Sequence, residues 1–189
     1  ISGIQEVAYS NGYNIILFIT NDSAERELNV IRSLSVTGLD GLLISISSDS
    51  VMSNPFRELI DEGVPIVFFD KVPRNVEATK VLQDDFSGAF TATEHLISNG
   101  YSKIAHIGGN EHLSFTQNRL KGYLEALKKY SIPVHPGWIV YSGFSQQSGE
   151  DDMRRLLKLG QIPDAVFAAT DRKAVGAILA LKKEKIRVG

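Results

Sequence analysis

The histidines, serines and glycines of this sequence are the residues that could carry chemistry, and none of them forms a recognisable catalytic or metal-binding pattern. The four histidines, at positions 95, 106, 112 and 135, are scattered, without the His-x-x-x-His spacing that places two ligands on one helix face. Gly143–Gly149 carries serines but lacks the Gly-x-Ser-x-Gly spacing of a nucleophile elbow. Gly108-Gly109-Asn110 fits neither the dinucleotide-binding pattern nor the P-loop pattern, so it predicts a tight turn. We therefore expect a binding protein with no catalytic site, no metal and no cofactor, and we expect His106 to be a satisfied core histidine.

The composition excludes several other classes of protein. The 189 residues are 43% hydrophobic and 22% charged, which is ordinary for a globular protein. A net charge of -2 gives no general attraction to nucleic acid or to a membrane, so contact with DNA would need another segment. The absence of cysteine excludes disulfides and thiolate metal sites, and it fits a reducing compartment.

The first half of the chain alternates short apolar runs with amphipathic stretches. Residues 1–8 have helical spacing, followed by the stop signal Asn11-Gly12. Apolar runs at 14–21, 41–48 and 64–70 predict strands that are buried on both faces. Asp22 and Ser23 predict the cap of a helix that extends to Ser35, and Gly63 predicts the end of the next helix. This β-α-β-α-β order predicts a parallel sheet with right-handed crossovers.

The same rhythm continues after an expected exposed loop at 71–80 and a short strand at 80–84. The second half predicts helices at 87–99, 116–130, 146–159 and 171–184, and strands at 104–107, 138–141 and 165–168. The fold class expected is therefore α/β, with two doubly wound parallel-sheet lobes, an N-terminal lobe at 1–84 and a C-terminal lobe at 85–189. The chain begins inside a helix and stops just after one, so we expect both lobes to be incomplete.

The most informative motifs lie in the second half. They are Ala92-Thr93-Glu94-His95-Leu96, Asn99-Gly100-Tyr101, the stretch 103–109 (KIAHIGG), the stretch 119–123 (RLKGY), Ala126-Leu127, the stretch 138–144 (WIVYSGF) and the stretch 163–171 (PDAVFAATD). The first half adds Gly12-Tyr13-Asn14, the stretch 38–41 (GLDG) and the stretch 63–67 (GVPIV) followed by Asp70. In this order, covering nearly the whole chain, they resemble the LacI/GalR family of bacterial transcription regulators.

The resemblance implies a type I periplasmic-binding-protein-like fold with an effector held in a cleft between two lobes. It also implies a cytoplasmic homodimer that reads operator DNA through an N-terminal helix-turn-helix segment, with no membrane partner. By this resemblance, we expect that segment, the first strand of the N-terminal lobe and the closing segment of the C-terminal lobe to lie outside this chain.

The resemblance also implies a set of effector-binding residues, with Arg119 and Phe144 as the central pair. Arg119 stands in the Arg-x-x-Gly-aromatic motif of the family, where a guanidinium offers a planar fork of donors to hydroxyls or a carboxylate. The alternative is a solvated helix charge. Phe144 stands where relatives place an aromatic ring against the ligand, and core filling is the alternative.

Five further residues complete the expected site, each with an alternative role. Thr170 and Asp171 open a helix at the carboxyl edge of the sheet, where Thr170 could be a cap and Asp171 a structural anchor. Asp70 and Ser45 end strands of the first lobe at the same edge, where both could instead cap turns. Gln83 lies at the crossover between lobes, so it serves either as a hinge or in binding.

Two expectations concern Arg119 and the ligand. A helix beginning at 116 places Arg119 in its first turn, and we expect Arg119→Ala to weaken binding by about 1.5–3 kcal/mol without altering thermal stability. Lys71 and the Asp84-Asp85 pair depart from the pattern of the family, and Leu113 and Phe115 stand at positions that are polar in purine-sensing relatives. Together these departures favour a sugar or related polyol over a purine. The alternatives are a periplasmic solute-binding protein for sugar transport and, on fold grounds alone, an α/β enzyme.

Overall fold

The computed structural model of the chain describes residues 1–34, 38–47 and 54–188. The described helices are α1 (Ser2–Ser10), α2 (Ala24–Ser33), α3 (Asn54–Asp61), α4 (Asp85–Ser98), α5 (Ser114–Lys129), α6 (Gln146–Leu157) and α7 (Asp171–Lys183), with a 3-10 turn at Pro136–Trp138. The described strands are β1 (Leu42–Ile44), β2 (Ile66–Phe69), β3 (Thr79–Val81), β4 (Ile104–Ile107), β5 (Ile139–Val140) and β6 (Ala165–Ala168). Ser35 and Ser48, which the sequence-based elements included, lie outside the described residues.

The strands form two parallel sheets. The first sheet has the order β1-β2-β3, with Leu43 opposite Val67, and the second has the order β5-β4-β6, with His106 opposite Phe167. Each strand joins the next parallel strand through a helix or a long connection, which confirms the predicted α/β class with parallel sheets. The first sheet ends at residue 81 and α4 begins at residue 85. The division into lobes at residue 84 stays a prediction.

The first apolar run, expected to be a strand at 14–21, is not one. Residues 13–20 have no strand pairing within the described structure, and Ile16 and Ile19 are 69% and 72% exposed. A parallel strand needs a neighbour to satisfy its N–H and C=O groups, and the described strands pair with one another instead. The apolar composition of this segment therefore made a buried strand plausible, but it could not show whether a neighbouring strand was present to pair with it.

The connection between β2 and β3 also differs from its prediction. It is a loop, as expected, but it is not an exposed one, because Val72, Pro73 and Val76 are buried. Val72 and Val76 pack into the core cluster that contains Phe56 and Phe68. Its proline and charged residues indicated a loop correctly, whereas the two valines were the signal that the loop covers a core.

The centre of the second sheet is a stack of three rings. The imidazole of His106, on β4, lies between Tyr123 and Phe167, with ring centroids 5.3 and 4.9 Å away. His106 is fully buried, and its Nδ1 donates to the carbonyl of Phe167 at 3.1 Å. The Tyr123 hydroxyl donates to the carbonyl of Ile104 at 2.8 Å. His106 is thus a core histidine, as predicted, although its Nε2 has no hydrogen-bond partner.

The burial of His106 makes stability depend on pH. Burial lowers the pKa of His106 from 6.5 to about 4, so the unfolded state takes up the proton first as pH falls. The contribution of neutral, buried His106 to the free energy of unfolding is therefore complete above pH 6.5, and it is lost as the pH falls from 6.5 to 4. Because the unfolded state takes up a proton at His106, we expect the free energy of unfolding to fall by about 3 kcal/mol across that range. Urea denaturation at several pH values should show a weaker pH dependence in His106→Phe, which keeps a ring in the stack, while exposed His112→Gln should match the wild type. Identical pH dependence in His106→Phe and wild type would contradict this assignment.

Candidate functional site

Phe144 packs directly on bare backbone. It lies in the segment between β5 and α6, and a Cβ atom built on Gly109 would stand 1.9 Å from Cε1 of the Phe144 ring. Any side chain at position 109 would therefore displace this ring. The Phe144 ring also packs on Phe115, with centroids 5.4 Å apart. The turn predicted at Gly108-Gly109-Asn110 lies instead at residues 111–112, and the bare backbone of Gly109 seats the aromatic residue that the resemblance places against the ligand.

Arg119 is an interior ion-pair partner and not a solvated charge. Its Nε donates to Asp85 Oδ1 at 2.8 Å, its Nη2 lies 2.8 Å from the same oxygen, and its Nη1 donates to the carbonyl of Ala169. The guanidinium lies over the Phe115 ring, with Cζ 4.9 Å from the centroid. The side chains of Arg119 and Asp85 are only 19% and 8% exposed.

The position of Arg119 within α5 corrects one expectation. The helix begins at Ser114 and not at residue 116, so Arg119 lies in the second turn. The macrodipole at the helix N-terminus, which falls off within the first turn, therefore does not explain why an arginine stands there. Its position is explained by Phe115, four residues earlier, because residues at that spacing share one helix face.

The first half contributes Lys71 to this group. The Lys71 amine lies 5.7 Å from the centroid of the Phe144 ring and 2.6 Å from Asp22 Oδ1. Asp70, an expected site residue of the first lobe, is exposed with a positive φ of 57°, and Gln83 Nε2 donates to it at 3.4 Å. The structure therefore brings Lys71 to the aromatic ring and pairs Asp70 with Gln83.

The remaining predicted residues, Thr170, Asp171 and Ser45, lie outside the group of contacts around Arg119 and Phe144. Thr170 caps α7 by accepting from the amide of Lys173, so its alternative role is the one observed, and it adjoins Ala169, whose carbonyl accepts from Arg119. Asp171 is exposed in the first turn of α7, and Ser45 is partly buried just after β1. No hydrogen bond or ion pair among the described residues joins Asp171 or Ser45 to Arg119 or Phe144. Their role in binding stays a prediction.

A cleft of about 330 Å³ opens beside Asp85 and Phe115, the two side chains that Arg119 contacts. One wall is formed by residues of the first half, including Arg74 and Gln83, and the other by Asp85 and by the first turns of α5. Gln83 is the predicted site residue that lines it. Arg119 and Phe144 do not line it, but both contact Phe115, which lines the cleft. Its volume is near the lower end of the range of ligand pockets, about 300–1,000 Å³.

Sequence reasoning missed three members of this group: Lys71, Asp85 and Phe115. All three depart from the patterns expected of relatives, and the sequence predicts no role for any of them. The spacing of Phe115 and Arg119 was a usable signal once the start of α5 was known. The contacts of Lys71 and Asp85 join positions far apart in sequence, so no local pattern carries them.

Across residues 1–34, 38–47 and 54–188, no cluster of three or more His, Asp or Glu side chains could hold a metal ion. No helix in them is both long and apolar enough to cross a membrane.

Two parallel sheets with a cleft lined by residues from both sides of position 84 are the architecture of an α/β ligand-binding protein. Residues 1–188 match the sequence model of the family described as periplasmic binding proteins and sugar binding domain of LacI family. The chain belongs to this family.

The relatives of this chain include named repressors. The ribose operon repressor of Haemophilus influenzae is 34% identical over 187 residues, which cover 99% of this chain and 55% of that protein. The HTH-type transcriptional repressor PurR of Actinobacillus pleuropneumoniae is 31% identical over 186 residues, covering 98% of this chain and 54% of that protein. The chain therefore spans about half the length of the curated relatives it matches.

Solved structures agree with the fold. A putative ribose operon repressor from Burkholderia thailandensis superposes with a TM-score of 0.90 at 28% identity, covering 100% of this chain and 69% of that one. The Cra transcriptional dual regulator from Pseudomonas putida, in complex with fructose 1-phosphate, gives a TM-score of 0.84 at 25% identity, covering 96% of this chain and 67% of that one. The type I periplasmic-binding-like fold and the family assignment made from the motifs are thus confirmed.

The ion pair of Arg119 revises the expectation that its removal leaves stability unchanged. Arg119→Ala leaves the largely buried Asp85 carboxylate and the Ala169 carbonyl without their donor, and we expect a loss of about 2 kcal/mol in unfolding free energy. Asp85→Ala combined with Arg119→Ala should cost less than the sum of the two single changes, because each single change strands the other partner. Urea denaturation of the four proteins measures this coupling. Lys121→Ala, an exposed change on the same helix, serves as the control, and additivity of the two changes would show that the pair is not coupled.

Proposed function

We propose that this chain is the effector-sensing core of a LacI-type transcription regulator. It binds a small polar ligand, a sugar or a related polyol, in the cleft between its two lobes. The whole protein acts in the cytoplasm as a homodimer and reads operator DNA through a helix-turn-helix segment outside this chain. The core itself catalyses no reaction.

The observation that carries this proposal is the joining of Arg119, Asp85 and Phe115 at one wall of the cleft. A sugar presents hydroxyl groups around its rim and a C–H face that is apolar. Asp85 accepts hydrogen bonds from hydroxyls, Gln83 both donates and accepts, and exposed Leu82 lines the same cleft with an apolar side chain. The cleft thus offers polar side chains to the hydroxyl groups of a sugar and apolar side chains to its C–H face.

The relatives support a sugar as the ligand class. One relative at 34% identity is a ribose operon repressor, and one structural neighbour holds fructose 1-phosphate. Arg74 and Lys80, which line the cleft, supply positive charge that suits a phosphorylated sugar as well as a neutral one. We therefore propose that the preference extends from pentoses to sugar phosphates.

Signal transmission needs a contact that differs between ligand-free and ligand-bound states. Lys71, from the first half, lies over Phe144, from the second half, and this contact spans the expected lobe boundary. A ligand that stacks on Phe144 competes with Lys71 and so favours a different arrangement of the lobes. The ligand shifts this equilibrium only through its differential affinity for the two arrangements.

The alternative is a periplasmic solute-binding protein for sugar transport, which the description of the matched family also covers. The repressors and regulators among the named relatives favour the regulator. A helix-turn-helix in the residues that precede Ile1 of the natural protein would support the regulator, and a secretion signal there would support transport.

Calorimetric titration of the full-length protein tests the ligand class. D-ribose and fructose 1-phosphate are titrated beside hypoxanthine, and we expect saturable binding of at least one sugar. Arg119→Ala should weaken that binding by roughly one to two decades, because Asp85 and Phe115, which line the cleft, lose the guanidinium that holds them in place. Lys121→Ala is again the control. Saturable binding of hypoxanthine alone would overturn the sugar assignment, and turnover of a bound sugar would overturn the non-enzymatic function.

Residues 1–189 alone should not bind duplex DNA at physiological salt. Their net charge is -2, and nonspecific affinity for DNA comes from neutralising phosphates with Lys and Arg. Fluorescence anisotropy with a labelled palindromic duplex should show no binding by this chain, whereas the full-length protein should bind as a dimer, with its mass taken from light scattering. Submicromolar binding by residues 1–189 with a steep dependence on salt would contradict the assignment of DNA recognition to another segment.

A further inference from the structure

Lys173 is fully buried, which is unusual for a lysine, and its amine has three hydrogen-bond acceptors. It lies in the first turn of α7, and its Nζ donates to Asp152 Oδ2 at 2.7 Å, to Ser142 Oγ at 2.6 Å and to the carbonyl of Gly143 at 3.0 Å. The Ser142 hydroxyl donates in turn to Asp152 Oδ2 at 2.7 Å. A protonated amine has three donors, so this site satisfies each of them.

This network ends on the segment that carries Phe144. Ser142 and Gly143 immediately precede Phe144, and both are held by Lys173. Ser145 immediately follows it and caps α6 by accepting from the amide of Ser148 at 3.0 Å. Phe144 is therefore fixed from both sides, by a buried amine before it and by a helix cap after it.

Close packing of α6 on α7 brings Asp152 within reach of Lys173. A Cβ atom on Gly149 would stand 2.3 Å from the carbonyl oxygen of Lys173, and one on Gly176 would stand 2.0 Å from the carbonyl oxygen of Gln146. The two glycines thus allow the helix backbones to approach closely. Asp152 lies three residues after Gly149, on the same face of α6.

Stability alone does not account for a buried ion pair. Replacing such a pair with apolar residues of similar volume is often neutral or stabilising, because both charges had to lose their hydration. Apolar residues would also hold α6 against α7. They would not hold the hydroxyl of Ser142 and the carbonyl of Gly143, so the specific effect of the pair is the geometry of the segment before Phe144.

We propose that Lys173 and Asp152 are positioning residues for ligand binding, which fix the Ser142–Gly143 segment and through it the ring of Phe144. This inference rests on the proposed function, since it assigns the Phe144 ring to the ligand. Lys173 touches the ligand neither directly nor through water; it acts through the backbone of Gly143.

The test uses the full-length protein with 4-fluorophenylalanine placed at position 144. The double variant Lys173→Met/Asp152→Leu removes both charges together, so no unpaired charge remains buried. We expect it to fold with nearly the thermal midpoint of the wild type, while the fluorine resonance moves toward that of the free amino acid or splits. Titrations with D-ribose and fructose 1-phosphate should show affinity about tenfold weaker for the sugar that the wild type binds. Lys183→Met is the matched control on α7, since Lys183 is 57% exposed and pairs with Glu150, and it should change neither readout.

Ser142→Ala keeps the proposal testable if the double variant does not fold. It removes one acceptor on the segment but leaves the Lys173–Asp152 pair intact, and it should move the fluorine resonance in the same direction. An unmoved resonance in the folded variants would overturn the proposal, and so would a moved resonance with unchanged affinity. If the wild type binds neither sugar, the proposed function fails, and the resonance alone decides whether the pair positions Phe144.

Discussion

The ion pair between Arg119 and Asp85 is the interaction on which the geometry of the site depends. It joins the second turn of α5 to the first residue of α4, and the same guanidinium donates to the carbonyl of Ala169, just before α7. One side chain thereby connects three elements that begin at the carboxyl edge of the second sheet. Because a guanidinium is planar and rigid, these connections fix directions as well as distances.

The ion pair in turn depends on close helix packing. A Cβ atom on Gly122 would stand 2.3 Å from the carbonyl oxygen of Phe86, so α4 and α5 approach closely where this glycine lies. Tyr123, the next residue, donates to the carbonyl of Ile104 and stacks on His106, which fixes α5 against β4. The Arg-x-x-Gly-aromatic motif thus combines three tasks: an ion pair, a close helix contact and an anchor to the sheet.

The sequence was sufficient to predict the features that depend on local chemistry. Caps at Ser23, Ser145 and Thr170 follow from side chains that accept from nearby amides, and the parallel sheets follow from apolar runs separated by amphipathic helices. The features that it failed to predict depend on partners far along the chain. Residues 14–21 are apolar enough for a strand but pair with none of the described strands, and Lys71 reaches Phe144 across 73 positions of sequence. The motif singled out Arg119, yet only the structure identified Asp85 as its partner.

The contact between Phe144 and Gly109 has a consequence for protein engineering. Because the ring lies on bare backbone, the space it occupies is bounded by main-chain atoms that cannot change rotamer or shrink. Shortening the side chain at position 144 would leave an apolar cavity next to Phe115, bounded on one side by the main chain of Gly109. Under the proposed function, in which Phe144 faces the ligand, a single codon change would then admit bulkier ligands. Enlarging residue 109 instead would close the same space, so these two positions form a natural pair for directed evolution of ligand size.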